Sequence, residues 1–176
     1  MSAIAYTLPS LRPGIQSDET IAAFVEAGII TLGEGLAPGQ IQPSSLDLRL
    51  GRRAWRVRAS FRPGRERLLK TRLDQVALHE IDLGPGAVLE TGCVYIAELL
   101  EGLALPPGLA ASANPKSSTG RLDVFTRVIT DRAAEFDVVE AGYRGPLYIE
   151  ISPRTFPILV RTGSRLKVAT KYTTIA

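Results

Sequence analysis

The chain contains very few residues of the types that hold zinc or form disulfide bonds. Its 176 residues include one histidine, His79, and one cysteine, Cys93. A disulfide within the chain is therefore impossible, and we expect a protein of the reducing cytoplasm. A structural zinc site needs four Cys or His ligands, and zinc-dependent nucleobase deaminases need a His/Cys triad, so neither can be built from this chain. Any hydrolysis must activate water with side chains alone, although magnesium held by carboxylates or by substrate phosphates is still allowed.

Long apolar runs are missing as well. No stretch of about 18 uninterrupted apolar residues occurs, so no membrane span is predicted and a membrane is not an expected partner. The first residues, MSAIAYTLPSLRPG, lack the basic region and apolar core of a secretory signal. With 45% hydrophobic residues, the chain has enough apolar content for one domain with its own core.

Positive charge is concentrated in one region. The formal net charge is +3. Ten of the 21 basic side chains fall in one short stretch: Arg49, Arg52, Arg53, Arg56, Arg58, Arg62, Arg65, Arg67, Lys70 and Arg72. Only Trp55 and Phe61 are interleaved, too few for a base-stacking platform. We interpret the stretch as a solvated strand and loop or a subunit contact, and do not expect nucleic acid as a partner.

One helix and many short strands are predicted. Ser17 is a suitable N-cap for a helix that ends near Gly28, with Ile21 and Phe24 at helical spacing. Strand-like runs then follow between glycine and proline turns: Ala77–Leu83, Val88–Leu89, Val94–Leu99, Leu109–Ala113, Val124–Thr130, Leu147–Ile151 and Ile158–Val160. Leu46–Leu50 alternates apolar and charged residues, which predicts one buried face. Leu99–Leu105 could pass for a helical turn, but Gly102 and the double proline that follows limit it. The pattern indicates a mainly β sandwich or barrel.

Two segments carry candidate chemistry. Lys116–Arg121 offers two cations, three hydroxyls and a glycine, which together can surround phosphate oxygens. The Walker A pattern is absent, and an ordinary solvated turn is the alternative. Gly142–Glu150 begins as a turn and continues as a strand, in which Glu150 and Tyr148 share one face. Glu150 is then either exposed to solvent or a partly buried base. A third segment, Gln42–Gly51, contains Asp47 and is interpreted as structural.

In this order and at this spacing, the three segments resemble the dCTP deaminases of the dUTPase-like superfamily. Lys116 stands where the family usually has arginine. The likeness covers Ser17 to Leu166 and is strongest to the N-terminal half of a tandem form. It implies a mainly β, distorted barrel or jelly roll with one short N-terminal helix. The implied organisation is an N-terminal arm over residues 1–16, a β domain over 17–166 and a shortened C-terminal tail over 167–176.

The resemblance also implies a reaction and its residues. Family members convert dCTP to dUTP and ammonia without zinc, supplying dUTP for thymidylate synthesis. Glu150 matches the general acid/base and Arg121 the arginine that positions it. The implied substrate-binding residues are Lys116, Ser117, Ser118, Thr119, Gly120, Glu140, Tyr148 and Ile149. No metal ligand comes from the protein, because magnesium is carried by the triphosphate. A homotrimer with sites shared between subunits and inhibition by dTTP are also implied.

Two departures from the family pattern leave alternatives open. About six extra residues separate Arg121 from Gly142, so Thr126, Thr130 and Asp131 are only candidates for holding the reacting water. The glutamine-bearing part of the family's tail is not present after Lys171-Tyr172. Alternative functions are therefore dUTP diphosphohydrolysis on the same fold, binding of a deoxynucleotide without turnover, and a structural β domain without a ligand.

Overall fold

Strands dominate the computed structural model, which describes residues 13–115, 117–166 and 168–174. The helices are α1 (Asp18–Glu26), α2 (Leu69–Val76) and α3 (Ser117–Gly120). The strands are β1 (Ile30–Leu32), β2 (Ile41–Gln42), β3 (Ser45–Asp47), β4 (Leu50–Val57), β5 (Ala77–Asp82), β6 (Ala87–Leu89), β7 (Val94–Ala104), β8 (Leu109–Pro115), β9 (Val124–Thr130), β10 (Val138–Val139), β11 (Arg144–Pro153), β12 (Ile158–Val160) and β13 (Val168–Thr174). The prediction of a mainly β fold is confirmed.

The strands form three antiparallel sheets. A six-stranded sheet has the order β5-β4-β7-β11-β9, and β1 also pairs with β7. A five-stranded sheet has the order β10-β8-β13-β3-β2, and β6 pairs with β12 in a small third sheet. Strand β13, which falls in the tail expected from the sequence, thus lies inside the five-stranded sheet. Next to it, the backbone N–H of Gln16 donates to the carbonyl of Tyr172 at 3.0 Å.

Apolar side chains cover both faces of the six-stranded sheet. The main core, on one face, includes Ile21, Phe24, Leu46, Leu105, Val128, Ile149 and Tyr172. A second cluster, on the other face, consists of Trp55, Val57, Leu69, Leu73, Ile96, Ile129, Ala133 and Tyr148. Successive residues of a strand point to opposite faces, so β11 contributes Ile149 to the main core and Tyr148 to the second cluster.

Helix α1 forms where the sequence predicts it. The Oγ of Ser17 accepts a hydrogen bond from the N–H of Thr20 at 3.4 Å, and Asp18 and Glu19 occupy the first turn. Negative charge there is favourable beside the positive end of the helix dipole. Ile21 and Phe24 are fully buried, which docks the helix on the main core.

Helix α2 is not anticipated by the sequence pattern. Its buried residues Leu69 and Leu73 have the i, i+4 spacing of one helix face, but Leu68 provides no side-chain cap. Instead, the Oδ1 of Asp131 accepts a hydrogen bond from the N–H of Leu69 at 2.7 Å. The cap is therefore supplied by a residue distant in sequence, which leaves no local start signal.

Two interpretations of strand patterns need correction. The alternation in Leu46–Leu50 correctly predicts a buried apolar face, but its charged residues do not face solvent either, because Asp47 and Arg49 are only 3% and 4% exposed. Arg49 is buried because Glu101 neutralises it: its Nε lies 2.7 Å from the Glu101 Oε1. The run Leu99–Leu105 forms no helical turn, since most of it belongs to β7, which is hydrogen-bonded to strands on both sides.

Much of the basic stretch is paired within the protein. Arg52 forms an exposed ion pair with Asp82, with Nη2 and Oδ2 2.9 Å apart. The hydrogen bond from Arg52 lowers the pKa of Asp82 to about 2. Arg53 forms a second ion pair with Glu98, in which Nη2 and Oε1 are 2.5 Å apart. These pairs agree with the interpretation of the stretch as a strand and loop.

Candidate active site

Glu150 lies within β11, on the face of the six-stranded sheet that carries the second cluster. Glu150 is only 1% exposed. Across the neighbouring strands it faces Ile96 of β7 and Arg127 of β9. The sequence left open whether Glu150 is exposed or partly buried, and the structure places it in the interior.

Arg127 forms an ion pair with Glu150 that involves only one carboxylate oxygen. The Nε and Nη2 of Arg127 donate to the Oε1 of Glu150 at 3.0 and 2.5 Å. The Oε2 of Glu150 is buried and accepts no hydrogen bond from the described residues. A buried carboxylate oxygen without a donor is energetically costly. Oε2 is therefore the carboxylate oxygen whose hydrogen-bonding capacity the described residues leave unused.

The other two candidates on β11 point to opposite faces. Tyr148 is 7% exposed and lies on the Glu150 face. Burial raises the pKa of its hydroxyl to about 12, so the hydroxyl keeps its proton at neutral pH. Ile149 is 1% exposed and packs in the main core. The Ile149 side chain is therefore directed away from Glu150.

The predicted phosphate-binding residues lie in and next to the single helical turn α3, just before β9 begins. Three of these positions are exposed, namely Ser117, Gly120 and Arg121, and Ser118 is half-buried. Thr119 is buried, and its Oγ1 donates to the carbonyl of Leu166 at 2.6 Å. This hydroxyl therefore holds the turn in place and is not available to a phosphate. Lys116 lies outside the described residues.

Arg121 and Glu150 are not brought together within one chain. The pairing of β9 with β11 places Val124 opposite Pro153 and Arg127 opposite Glu150. Arg121 lies three residues before Val124, the first residue of β9. At about 3.3 Å per residue, the strand segment from Val124 to Arg127 alone separates the two groups by roughly 10 Å.

A cleft of about 520 Å³ opens near Thr130, at the C-terminal end of β9. Its lining includes Thr130, Asp131 and Glu140, all of which the sequence suggested, together with cationic side chains from Arg65, Arg132 and Arg144. Glu140 is exposed and lies 3.9 Å from Arg65. The mixed charges give the cleft both donors and acceptors for a polar ligand. Thr126 is elsewhere: it pairs with Ile151, on the face opposite Glu150.

Two charged residues near Glu150 are not predicted by the sequence. Arg127 interrupts an otherwise apolar and hydroxyl-bearing strand, and this interruption is the signal that could have found it. Asp137 has no comparable signal, because it lies in the loop before β10. Its Oδ1 accepts a hydrogen bond from the N–H of Val128 at 2.7 Å. Burial raises the pKa of Asp137, and the nearby Glu150 charge raises it further.

The described residues contain no group of three or more His, Cys, Asp or Glu side chains placed to hold a metal ion. None of the helices in the described part of the chain is long and apolar enough to cross a membrane.

Several known proteins are similar to this chain in sequence, and a solved structure is similar to it in fold. The crystal structure of 2'-deoxycytidine 5'-triphosphate deaminase from Agrobacterium tumefaciens is 57% identical to this chain, with a TM-score of 0.89 over 92% of it. A dUMP-forming dCTP deaminase from a Parafrankia species is 34% identical over 85% of the chain and 71% of its own length. A dCTP deaminase from Natronomonas pharaonis is 29% identical over 74% of the chain and 65% of its own length.

The chain spans about half the length of the Agrobacterium protein, since the match covers 49% of that protein. The fold that the sequence resemblance implied is confirmed by this structural match. The model of the 2'-deoxycytidine 5'-triphosphate deaminase N-terminal domain matches residues 12–171. The chain therefore belongs to the family of dCTP deaminase N-terminal domains.

Proposed function

We propose that this chain catalyses the hydrolytic deamination of dCTP to dUTP and ammonia without zinc. The observation that carries the proposal is the carboxylate of Glu150, buried on β11 with Oε2 left without a donor. A buried carboxylate of this kind is suited to move protons in a site that excludes bulk water. The substrate assignment is supported by two relatives named as dCTP deaminases: the Agrobacterium protein, which has the same fold, and the Natronomonas protein.

In the proposed reaction, Glu150 transfers two protons in sequence. Its Oε2 takes a proton from water as the water oxygen bonds to C4 of the cytosine ring, and delivers that proton to N3. It then takes the proton of the new hydroxyl and gives it to the exocyclic amine. The C4–N bond breaks, ammonia leaves, and the C4 carbonyl of uracil forms. Atoms and charge balance as dCTP plus water giving dUTP plus ammonia.

The triphosphate is assigned to the turn that follows β8. Lys116, Ser117, Ser118 and Gly120 offer charge and hydrogen-bond donors to phosphate oxygens, and magnesium would be carried by those oxygens. Arg121 would stabilise the reacting groups. Because Arg121 and Glu150 are separated within one chain, we infer that each site combines residues of two copies, as in a homotrimer. Glu140 would contact the nucleoside from the cleft.

The direct test incubates the purified protein with dCTP and magnesium. We expect ammonia and a uracil nucleotide to appear in equal amounts. Binding of dCTP in a calorimeter without release of ammonia would instead support a deoxynucleotide-binding module, with dTTP as a second nucleotide to be compared. The absence of both binding and turnover would leave a structural β domain. The single cysteine favours the reducing cytoplasm as the site of this activity.

A second activity is suggested by the names of the relatives. The Parafrankia protein is named as dUMP-forming, which requires loss of pyrophosphate in addition to loss of ammonia. Supplying dUTP as the starting substrate separates the two reactions, because release of pyrophosphate then reports diphosphohydrolysis alone. Formation of dUTP as the only product from dCTP would limit this chain to deamination.

A further inference from the structure

The arginine of the Arg127–Glu150 ion pair is held by several further contacts. Its guanidinium packs against two aromatic rings, 4.8 Å from the centre of Phe125 and 3.8 Å from the centre of Phe136. Its Nη2 also donates to the Oγ of Ser60 at 2.7 Å. Stacking and hydrogen bonds together restrict a side chain that is otherwise flexible.

Phe136 belongs to a loop that is anchored to the stretch before α2. The N–H of Gly64 donates to the carbonyl of Ala133 at 3.2 Å. The N–H of Arg132 donates to the carbonyl of Arg67 at 3.0 Å. The Nη1 of Arg62 adds a hydrogen bond to the carbonyl of Ala134 at 2.5 Å. The loop lies in the region where this chain has extra residues relative to the family pattern. The interval between Arg121 and Gly142 thus contributes one of the rings that pack against Arg127.

The arrangement distinguishes the two oxygens of Glu150. Both donors of Arg127 go to Oε1, so rotation of the carboxylate would break two charge-assisted hydrogen bonds. Oε2 is consequently held in one direction, buried and without a donor. We propose that Arg127 is a positioning residue, which fixes Glu150 so that Oε2 faces the reacting water. This inference rests on the proposed deaminase activity.

The test compares Arg127→Met, Arg127→Lys and Arg127→Ala in steady-state kinetics with dCTP. We expect kcat to fall by about 100-fold in R127M, with a much smaller change in KM, because a misplaced base slows the chemical step more than it weakens binding. R127K should retain more activity than R127M. Added guanidinium chloride should restore part of the kcat of R127A, whereas equal sodium chloride should not.

Arg53→Met is the matched control. Arg53 also forms an arginine–glutamate pair, with Glu98 at 2.5 Å, and also stacks on an aromatic ring, that of Trp55 at 5.4 Å. R53M should lose stability without losing kcat or gaining rescue by guanidinium. A wild-type kcat in R127M would overturn the positioning role and leave the proposed function intact. Failure of the wild-type protein to release ammonia would instead overturn the proposed function.

Crystal structures of the wild type and R127M provide a readout that does not depend on activity. We expect the Glu150 carboxylate to keep one orientation in the wild type and to rotate or become disordered in R127M. An unchanged Glu150 conformation in R127M would show that packing alone orients the carboxylate, and would overturn the inference.

Discussion

The Thr119 hydroxyl donates to the carbonyl of Leu166 at 2.6 Å, which ties the turn proposed to bind phosphate to the segment before β13. Thr119→Val keeps the shape of the side chain but removes this donor. We expect the KM for dCTP to rise several-fold, since the turn that offers phosphate ligands loses its anchor, and stability to fall by about 1–3 kcal/mol. Kinetics and urea denaturation measure the two effects. Thr119→Ser, which keeps the hydroxyl, should behave like the wild type.

A mixing experiment tests whether sites are shared between chains. Arg121→Ala and Glu150→Gln should each be inactive alone, because each removes one proposed half of every site. Refolding the two variants together in equal amounts should restore about a quarter of the wild-type activity if sites lie between neighbouring subunits of a closed ring. Ammonia release measures the recovery. Complete inactivity of the mixture would argue that both residues act within one subunit.

The role of Glu150 is tested by removing its charge without changing its size. Glu150→Gln should lower kcat by about 10²–10⁴-fold, because glutamine cannot accept the proton of water. Glu98→Gln is the control, since Glu98 is another arginine-paired carboxylate on the six-stranded sheet. Thermal unfolding should confirm that both variants fold. Wild-type turnover in E150Q would contradict the proposed mechanism.

Asp137 should give the stability a defined dependence on pH. Its pKa is raised in the folded protein, chiefly by burial, so the folded state binds a proton more tightly than the unfolded chain does. Its contribution to the free energy of unfolding is therefore most favourable below the ordinary aspartate pKa of about 3.9, and decreases as the pH rises through the folded value.

Asp137→Asn should make the free energy of unfolding decrease less steeply with rising pH, as measured by urea unfolding at several pH values. Asparagine suits the positive φ of 62° at this position and keeps an acceptor for the N–H of Val128. Asp123→Asn is the matched control, because Asp123 also has a positive φ, of 51°, but is exposed. An unchanged pH dependence in D137N would show that other groups produce it.

The buried pair of Arg49 and Glu101 should be critical for stability. Glu101 also accepts hydrogen bonds from the N–H of Arg49 and from the Nε2 of Gln40, both at 2.7 Å. Glu101→Ala would leave the Arg49 guanidinium buried without its carboxylate, and should cost about 3–5 kcal/mol in urea denaturation. Asp82→Ala breaks the exposed pair with Arg52 and should change stability little. Equal effects of the two variants would contradict the importance of burial.

The sequence predicts the parts of this protein whose signals are local. Helix α1 is predicted because Ser17 caps it and Ile21 and Phe24 repeat at helical spacing. Strand β9 is predicted with its observed bounds because the run Val124–Thr130 consists mostly of β-branched and aromatic residues. Helix α2 could not be predicted in this way, because its cap, Asp131, is contributed by another part of the chain.

In the candidate site too, local signals are predicted from the sequence and contacts between distant residues are not. Glu150 stands out because glutamate is rare in an apolar strand. Its pairing with Arg127 depends on the register of two strands, and a single sequence does not show that register. The burial of Arg49 likewise depends on Glu101, which lies far away in sequence on β7. Charged residues that are neutralised across strands look exposed in the sequence.

The position of β13 has a consequence for how the protein folds during its synthesis. β13 lies between β8 and β3, and pairs position 169 with position 47 and position 170 with position 113. Translation delivers N-terminal segments first, and pairing between distant segments is slow. Until residues 168–174 leave the ribosome, β3 and β8 therefore expose unpaired edges of the kind that aggregate or recruit chaperones. Completion of this sheet waits for β13, the last of its five strands in sequence order.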